Sequence, residues 1–221
     1  MPDNATPSPV TRSIGPAVRA RRRERILGAA ADILVEMGLR QATMEGIARR
    51  LKTSKIALYR YFETKDALVD GVLARIADRV LDQEYQPWPG MNAALAATLR
   101  LAREERSAFL LLFRVAAHDP ELSRHGERVR RTMVEATRRR MTLVDHPLKD
   151  DPLLLDALAD GLVTFLIETT AFWVESGDPA RDDDWTAWAA AAGRGLVGLG
   201  PTGRQLPLPA VLISPSATEG G

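Results

Sequence analysis

The chain has 221 residues, of which 45% are hydrophobic and 27% are charged. This length fits one or two compact domains, and the composition is typical of a globular protein with a real hydrophobic core. Cysteine is absent, which excludes disulfides, thiol nucleophiles and cysteine-ligated metal sites. The apolar stretches are too short for a membrane span, and the first ten residues lack the pattern of a signal peptide. We therefore expect a cytoplasmic protein that does not associate with membranes.

Positive charge is concentrated in the first third of the chain. Residues 1–62 contain twelve Lys and Arg against five Asp and Glu, whereas residues 63–221 contain eighteen against twenty-four. This asymmetry favours a polyanion-binding module joined to a body that does not bind polyanions. Chance explains the charge distribution about equally well, so the interpretation depends on the motifs.

The spacing of apolar residues predicts an all-α protein, because these residues recur at intervals of three and four along most of the chain. Residues 1–18 and 200–221 are rich in proline and are predicted to be a flexible arm and a flexible tail. Thr43, Ser54 and Thr64 are each suited to cap the helix that follows. Helices are predicted at about residues 19–37, 43–51, 54–61, 64–84, 91–104, 106–117, 121–143, 152–176 and 183–199.

Prolines mark the predicted boundaries in the second half of the chain. Pro87, Pro89 and Gly90 separate a small N-terminal unit, residues 20–80, from a larger helical unit, residues 88–199. Asp119-Pro120 and Asp151-Pro152 are predicted to open the two longest helices of the second unit, since proline is tolerated in a first helical turn.

The most informative stretch is residues 43–62, TMEGIARRLKTSKIALYRYF, which is predicted to be two short helices joined by a tight turn. Ile47, Ala48 and Leu51 face inward on the first helix. On the second, Leu58 and Phe62 face inward together with either Ile56 or Ala57. The outer surface of the second helix presents cations, tyrosines and small residues, a mixture that suits the major groove of DNA: Ser54, Lys55, Ala57, Tyr59, Arg60 and Tyr61.

With its flanks, this stretch resembles the N-terminal domain of the tetracycline-repressor (TetR/AcrR) family of bacterial transcription regulators. The resemblance covers about residues 20–80, and the rest of the chain matches the family only in length and helical character. The residues that carry it, in register, are Gly38, Thr43, Ile47, Ala48, Ser54, Lys55, Leu58, Tyr59, Tyr61, Phe62, Thr64, Lys65 and Leu68. It implies an N-terminal three-helix helix-turn-helix DNA-binding domain and a C-terminal helical domain for ligand binding and dimerisation.

Two positions depart from the family pattern. Lys52 stands in the inter-helix turn where glycine is usual, and a left-handed backbone there would cost about 1 kcal/mol. Ile56 stands where a small residue or proline is usual, which affects the expected base preference rather than the fold.

By matching position, the resemblance implies DNA contacts at eight residues. Thr43, Tyr59 and Lys65 would contact phosphates, while Lys55, Ile56, Ala57, Arg60 and Tyr61 would face bases or the adjacent backbone. Packing is the alternative role for both tyrosines, and a solvated surface charge is the alternative for Arg60. Five arginines near the start of the first helix could also grip the DNA backbone or be solvated: Arg19, Arg21, Arg22, Arg23 and Arg25.

The C-terminal unit is predicted to hold a dimer interface and a ligand pocket. The last two helices are apolar, and Trp188, Ala192 and Gly195 share one face of the final helix. The family pairs these helices in a four-helix dimer interface, although they could also form a monomer core. The resemblance implies a pocket for an unidentified small apolar or amphipathic effector and no cofactor. Candidate lining residues, each of which could equally be plain core, are Met91, Leu95, Phe109, Phe113, Met133, Met141, Phe165, Thr169 and Trp173.

The sequence thus predicts a homodimeric, ligand-responsive repressor that binds a palindromic operator in double-stranded DNA. The nearest alternative is a constitutive or architectural helical DNA-binding protein without ligand response. An all-helical enzyme is more distant, since phosphate-binding glycine loops, a serine elbow and HExxH are absent. The three histidines, His118, His125 and His146, have no metal-ligand spacing, so we expect no metal site.

Overall fold

The computed structural model describes residues 15–83, 87–143 and 146–198, and within these ranges all regular structure is helical. The N-terminal three helices form a compact helix-turn-helix unit. They are α1 (Pro16–Met37), α2 (Met44–Arg50) and α3 (Lys55–Tyr59).

Six further helices form the rest of the described chain: α4 (Lys65–Asp82), α5 (Met91–Glu104), α6 (Arg106–Leu110), α7 (Arg124–Leu143), α8 (Pro152–Ser176) and α9 (Asp182–Val197). A wider π-helical turn, Leu111–Val115, continues α6 and leads into a short 3-10 turn, Ala116–His118. Another 3-10 turn, Pro179–Arg181, precedes α9.

Side-chain caps begin several of these helices as the sequence predicts. The hydroxyl of Thr43 accepts from Gly46 N at 3.1 Å, and that of Thr64 accepts from Ala67 N at 3.0 Å. Asp151 caps α8 by accepting from Leu154 N at 3.1 Å. Each bond satisfies an N–H that has no partner inside the helix.

Two predicted helix starts are wrong. The first helix begins at Pro16, so the helix includes the end of the predicted arm at residues 1–18. The long helix α7 begins at Arg124 rather than at residue 121. The reason is local: the carboxylate of Asp119 accepts from Glu121 N, and its carbonyl accepts from Ser123 N, which holds a separate turn. The predicted tail, residues 200–221, lies outside the described residues.

A single cluster of buried apolar side chains runs through both parts of the molecule, from Leu27 in α1 to Val197 in α9. Helix α4 packs against both α1 and α7, and α6 also contacts α1. In the C-terminal part, α5 packs on α9 and α7 packs on α8. The N-terminal helices therefore sit directly on the body through α4 and α6.

Candidate DNA-binding surface and regulatory cavity

The turn between α2 and α3 holds the two helices in a fixed orientation. Ser54 caps α3 by accepting from Ala57 N at 3.1 Å, and Thr53 N donates to the Ala48 carbonyl at 3.0 Å. Lys52 has a φ of 52°, which is the left-handed region that an L-residue rarely adopts. The turn therefore needs the backbone geometry that glycine usually supplies, and Lys52 carries the strain.

The inner faces of α2 and α3 are buried in the core of the N-terminal unit. Ile47 and Leu58 are fully enclosed, and Ala48 and Phe62 are almost so. Ile56 is 78% exposed while Ala57 is half-buried, so the apolar inward position on α3 falls to Ala57. Burial of Leu58 and Phe62 turns the opposite side of α3 to solvent.

The solvent-facing side of α3 and the two residues directly after it carry five of the eight predicted DNA-contacting residues. Lys55, Ile56 and Tyr59 are exposed on α3, Arg60 is exposed directly after its last residue, and Tyr61 is half-buried. The Lys55 ammonium lies 6.0 Å from the Tyr59 ring centroid, so a cation and an aromatic ring sit side by side on this surface. The geometry is that of a short helix able to enter a major groove with its polar side.

The start of α1 lies beside this helix, a proximity that the sequence did not reveal. An Nη atom of Arg19 donates to the Arg60 carbonyl at 3.0 Å, and the guanidinium lies 5.8 Å from the Tyr61 ring centroid. Arg23 lies 5.1 Å from the Phe62 ring centroid. Two of the five clustered arginines thus extend the positive surface of α3.

Lys65 has structural partners of its own. Its ammonium donates to the carbonyls of Leu39 at 3.2 Å and Arg40 at 3.4 Å, which joins the start of α4 to the loop after α1. Thr43 is exposed at the start of α2. Both residues therefore lie on the N-terminal unit, and a phosphate contact by Lys65 would add to or replace these bonds.

An apolar cavity lies inside the C-terminal part, with walls from α4 to α9. It contains about 950 Å³ of empty space, including solvent at its open side. Val80 contributes from α4, and the charged lining residues are Arg140 and Arg194. Six of the predicted lining residues are among those that surround it: Met91, Leu95, Phe109, Phe113, Met133 and Met141.

Three predicted lining residues lie elsewhere. Phe165 turns toward α9, where its ring lies 6.1 Å from that of Trp188. The Thr169 hydroxyl donates to the Phe165 carbonyl at 2.7 Å. Trp173 stacks on Trp185 and donates its Nε1–H to Asp182 at 2.7 Å. The α8 residues that do line the cavity are Leu162, Val163, Leu166, Ile167 and Thr170.

From the sequence, Arg140, Arg194 and Trp88 were not identified as lining residues of the cavity. A signal for Arg194 was present, because it is the one charged residue in the sequence from 185 to 199. Arg140 lies among several arginines of α7, so nothing in the sequence distinguishes it. Its guanidinium lies 4.1 Å from the Trp88 ring centroid in the structure.

Charged contacts join α4 to the helices around the cavity. Asp70 forms a 2.7 Å contact with His125 Nε2 and also binds Arg124. The hydrogen bond from His125 is the main cause of the lowered pKa of Asp70, and the charges of His125 and Arg124 add to it. Arg75, one turn further along α4, binds Glu105 with two hydrogen bonds of 2.8 and 2.7 Å.

The outer side of α8 and α9 exposes large apolar side chains. Leu154, Phe172 and Trp188 are 40%, 59% and 55% exposed. A Cβ atom added at Gly161 or Gly195 would meet no other atom within 4 Å, so both glycines face open space. These residues form an apolar surface across two helices, which we call the α8–α9 face.

Neither a metal centre nor a membrane span is found in the described part of the chain. No group of three or more His, Asp or Glu side chains there could hold a metal ion. No helix there has both the length and the hydropathy to cross a bilayer.

The helices α2 and α3 form a helix-turn-helix, and α3 turns a positively charged side to solvent. This arrangement is that of a DNA-binding protein. Residues 26–72 match the family model described as bacterial regulatory proteins, tetR family. The HTH-type transcriptional activator FasR of Mycolicibacterium smegmatis is 27% identical over 75% of this chain and 78% of its own. UidR of Escherichia coli is 23% identical over 72% and 85%. A TetR-like regulator from Rhodococcus sp. RHA1 shares the fold at a TM-score of 0.65 and 22% identity, over 84% of this chain and all of that one. Residues 26–72 thus form a DNA-binding domain of the tetR type, and the relatives support a DNA-binding transcriptional regulator similar to members of the TetR/AcrR family.

Proposed function

We propose that the protein is a homodimeric repressor whose binding to a palindromic operator is released by a small-molecule effector. The DNA contacts are those implied by the family pattern, with α3 in the major groove. They are made by Thr43, Lys55, Ile56, Ala57, Tyr59, Arg60, Tyr61 and Lys65.

The observation that carries the ligand response is the position of α4. This helix starts at Lys65, directly after the helix-turn-helix, and its other end supplies Val80 to the cavity wall. A helix of 18 residues is a stiff rod of about 27 Å. A ligand that displaces Val80 therefore acts on the same rigid element that carries α3.

The dimer is supported by the α8–α9 face. Large exposed apolar patches on a soluble protein commonly mark interaction sites. A two-fold dimer through this face would present two α3 helices to two half-sites, and binding requires a separation of about 34–36 Å between them. Movement of α4 would change that separation and lower the affinity for DNA.

The effector response can be tested with a variant that fills the cavity. Ala94 lines the cavity, whereas its neighbour Ala93 is exposed and does not line it. Operator duplexes are first selected from random sequence, and compounds are then screened for those that raise the Tm of the wild-type protein. We expect such compounds to weaken operator binding by the wild type and by Ala93→Phe, and to have no effect on Ala94→Phe.

The alternative is a constitutive DNA-binding protein. It would be supported if compounds bind the wild type and Ala93→Phe but not Ala94→Phe, and operator affinity is unchanged throughout. A promoter–reporter assay tests the sign of regulation: a repressor lowers expression until the effector is added, and an activator raises it.

A further inference from the structure

The described residues that line the cavity include two positively charged side chains and no carboxylate. Most of the walls are apolar side chains, and the two charged residues among the described lining residues, Arg140 and Arg194, are both cations. Two polar lining groups are already engaged. The hydroxyl of Thr98 donates to the helix carbonyl of Ala94 at 3.0 Å, and that of Thr170 to Leu166 at 2.7 Å.

Arg194 has N–H donors that lack an acceptor among the described residues. Its Nη1 donates to the neutral side-chain oxygen of Asn92 at 2.8 Å. A guanidinium carries five N–H donors, and its charge is best balanced by a planar anion that accepts two of them. Among the described residues no carboxylate pairs with Arg194. It is half-buried, at the edge of an apolar cavity where a bound anion would be only partly screened by water.

Trp88 adds a second donor in the same region. Its Nε1 is buried and has no hydrogen-bond acceptor among the described residues. Such a group loses its bond to water without gaining another. Trp88 lines the same cavity as Arg194, and it lies four residues before Asn92, the hydrogen-bond partner of Arg194.

We propose that the effector is an amphipathic anion, whose apolar chain fills the cavity and whose carboxylate accepts from Arg194 and from Trp88 Nε1. This inference rests on the proposed function, because it names the ligand of that cavity. A cationic ligand would be repelled by Arg194. A neutral apolar ligand would leave the Arg194 charge without a counter-ion.

A purely structural explanation exists for Arg194. It lies in the last turn of α9, where a cation interacts favourably with the helix carbonyls. In that case the cavity would bind apolar molecules regardless of their head group. The two explanations differ in what they predict for ligands that share one chain and differ in charge.

The test uses three such probes with the full-length protein: dodecanoate, dodecanol and dodecyltrimethylammonium, each below the concentration at which it aggregates. Isothermal titration calorimetry gives the affinity of each probe for the wild type, Arg194→Gln and Trp88→Phe. Arg131→Gln is the matched control, since Arg131 is exposed on α7 and outside the cavity.

We expect dodecanoate to bind the wild type about tenfold more tightly than dodecanol, and the cation to bind most weakly. Arg194→Gln should lose about tenfold in dodecanoate affinity and keep its dodecanol affinity, which also shows that the cavity is intact. Trp88→Phe, which keeps an aromatic ring, should lose a few-fold for dodecanoate only. Arg131→Gln should behave as the wild type.

Equal binding of the three probes, failure of dodecanoate to bind, or an equal loss for dodecanoate and dodecanol in Arg194→Gln would each overturn the proposal. These results are distinguishable from failure of the proposed function. The proposed function fails when a ligand occupies the cavity and operator affinity does not change, whatever the charge of the head group.

Discussion

Arg75 of α4 and Glu105, at the junction of α5 and α6, form a two-pronged ion pair with both side chains largely buried. The two hydrogen bonds measure 2.8 and 2.7 Å, and the exposed fractions of the side chains are 15% and 14%. Arg75 also binds Glu24 of α1, and Arg79 also binds Glu105. One carboxylate thereby joins the helix of the DNA-binding unit to the body that holds the cavity.

This pair makes stability depend on pH. The hydrogen bonds from Arg75 lower the pKa of Glu105, with the charges of Arg75 and Arg79 adding to the effect. A carboxyl with a lowered pKa in the folded state contributes stability above its usual pKa. That contribution is lost as the pH falls through the folded value. Wild-type stability should therefore fall between about pH 5 and pH 3.

Glu105→Gln should remove about 2 kcal/mol of unfolding free energy at pH 7, because Arg75 keeps its charge but loses its buried counter-charge and one of the two oxygens that accept its hydrogen bonds. The difference from wild type should shrink on acidification. Urea unfolding at several pH values measures both effects. Glu104→Gln is the control, since Glu104 is 61% exposed and should change stability by less than about 0.5 kcal/mol. A constant difference between Glu105→Gln and wild type across this range would contradict the assignment.

Lys52→Gly should affect stability and DNA binding in opposite directions. Glycine relieves the strain of the positive φ, which is worth about 0.5–1 kcal/mol after its greater unfolded-state entropy is counted. If Lys52 also reaches a phosphate, its loss should reduce the salt slope of DNA binding by about one unit. Thermal unfolding and operator titrations at several salt concentrations separate the two effects. A drop in Tm would show that the lysine side chain itself stabilises the turn.

Arg60→Ala should alter base preference at one symmetric pair of operator positions. The side chain is exposed directly after the last residue of α3, and a two-bond contact with a guanine edge provides about 1–3 kcal/mol of discrimination. Selection from a randomised operator library measures the change. Lys65→Ala provides the contrast: it should weaken all operators alike and also lower stability, because the carbonyls of Leu39 and Arg40 lose a donor. An unchanged operator profile in Arg60→Ala would leave Arg60 as a solvated surface charge.

Gly195→Glu should produce a monomer. Gly195 and Trp188 lie on one side of α9, and the open space at Gly195 allows the side chain to fit within a single protomer. In a dimer the carboxylate would be buried in an apolar contact, at a cost large enough to break it. Light scattering and a gel shift on the same preparation measure assembly and operator binding. Ala93→Glu on α5 supplies the control charge, and a Gly195→Glu dimer with normal binding would exclude this part of α9 from the interface.

His146 should contribute to stability through two hydrogen bonds. It is 1% exposed, its Nδ1 accepts from Leu148 N at 3.1 Å, and its Nε2 lies 2.8 Å from the Val197 carbonyl. Because Nδ1 accepts, Nε2 carries the proton and donates. His146→Ala should cost about 2–3 kcal/mol, since it leaves two buried polar groups unpaired and opens a cavity. His118→Ala, at an exposed histidine, should change the urea midpoint very little.

The helices and the side of α3 that faces solvent follow from local patterns, and so they were predictable. Caps such as Thr43 and Ser54 depend on neighbouring residues, and burial of Leu58 and Phe62 sets the outward side of α3. Which side of α8 faces the cavity depends on contacts with residues that are distant in the sequence. This helix is apolar around most of its circumference, so its sequence does not show which side faces the cavity.

The misplaced lining residues show the same limit. Trp173 turns away from the cavity because Asp182 accepts its Nε1–H, and these two residues belong to different helices. The predicted start of α7 was also wrong. Asp119 holds a separate turn, and this turn replaces the helix start that was predicted at Pro120. In both cases the deciding partner was a polar side chain whose contact apolar periodicity does not report.

The single buried cluster that runs from α1 to α9 limits how short a fragment of the chain can be and still bind DNA. A fragment ending near residue 80 would keep the whole helix-turn-helix. It would also expose Val80, which lines the cavity of the body, and the side of α4 that packs against α7. Such a fragment would tend to aggregate or to lose the orientation of α4. We therefore expect deletion or proteolysis within the C-terminal body to weaken recognition of DNA, although every residue expected to touch the operator would remain.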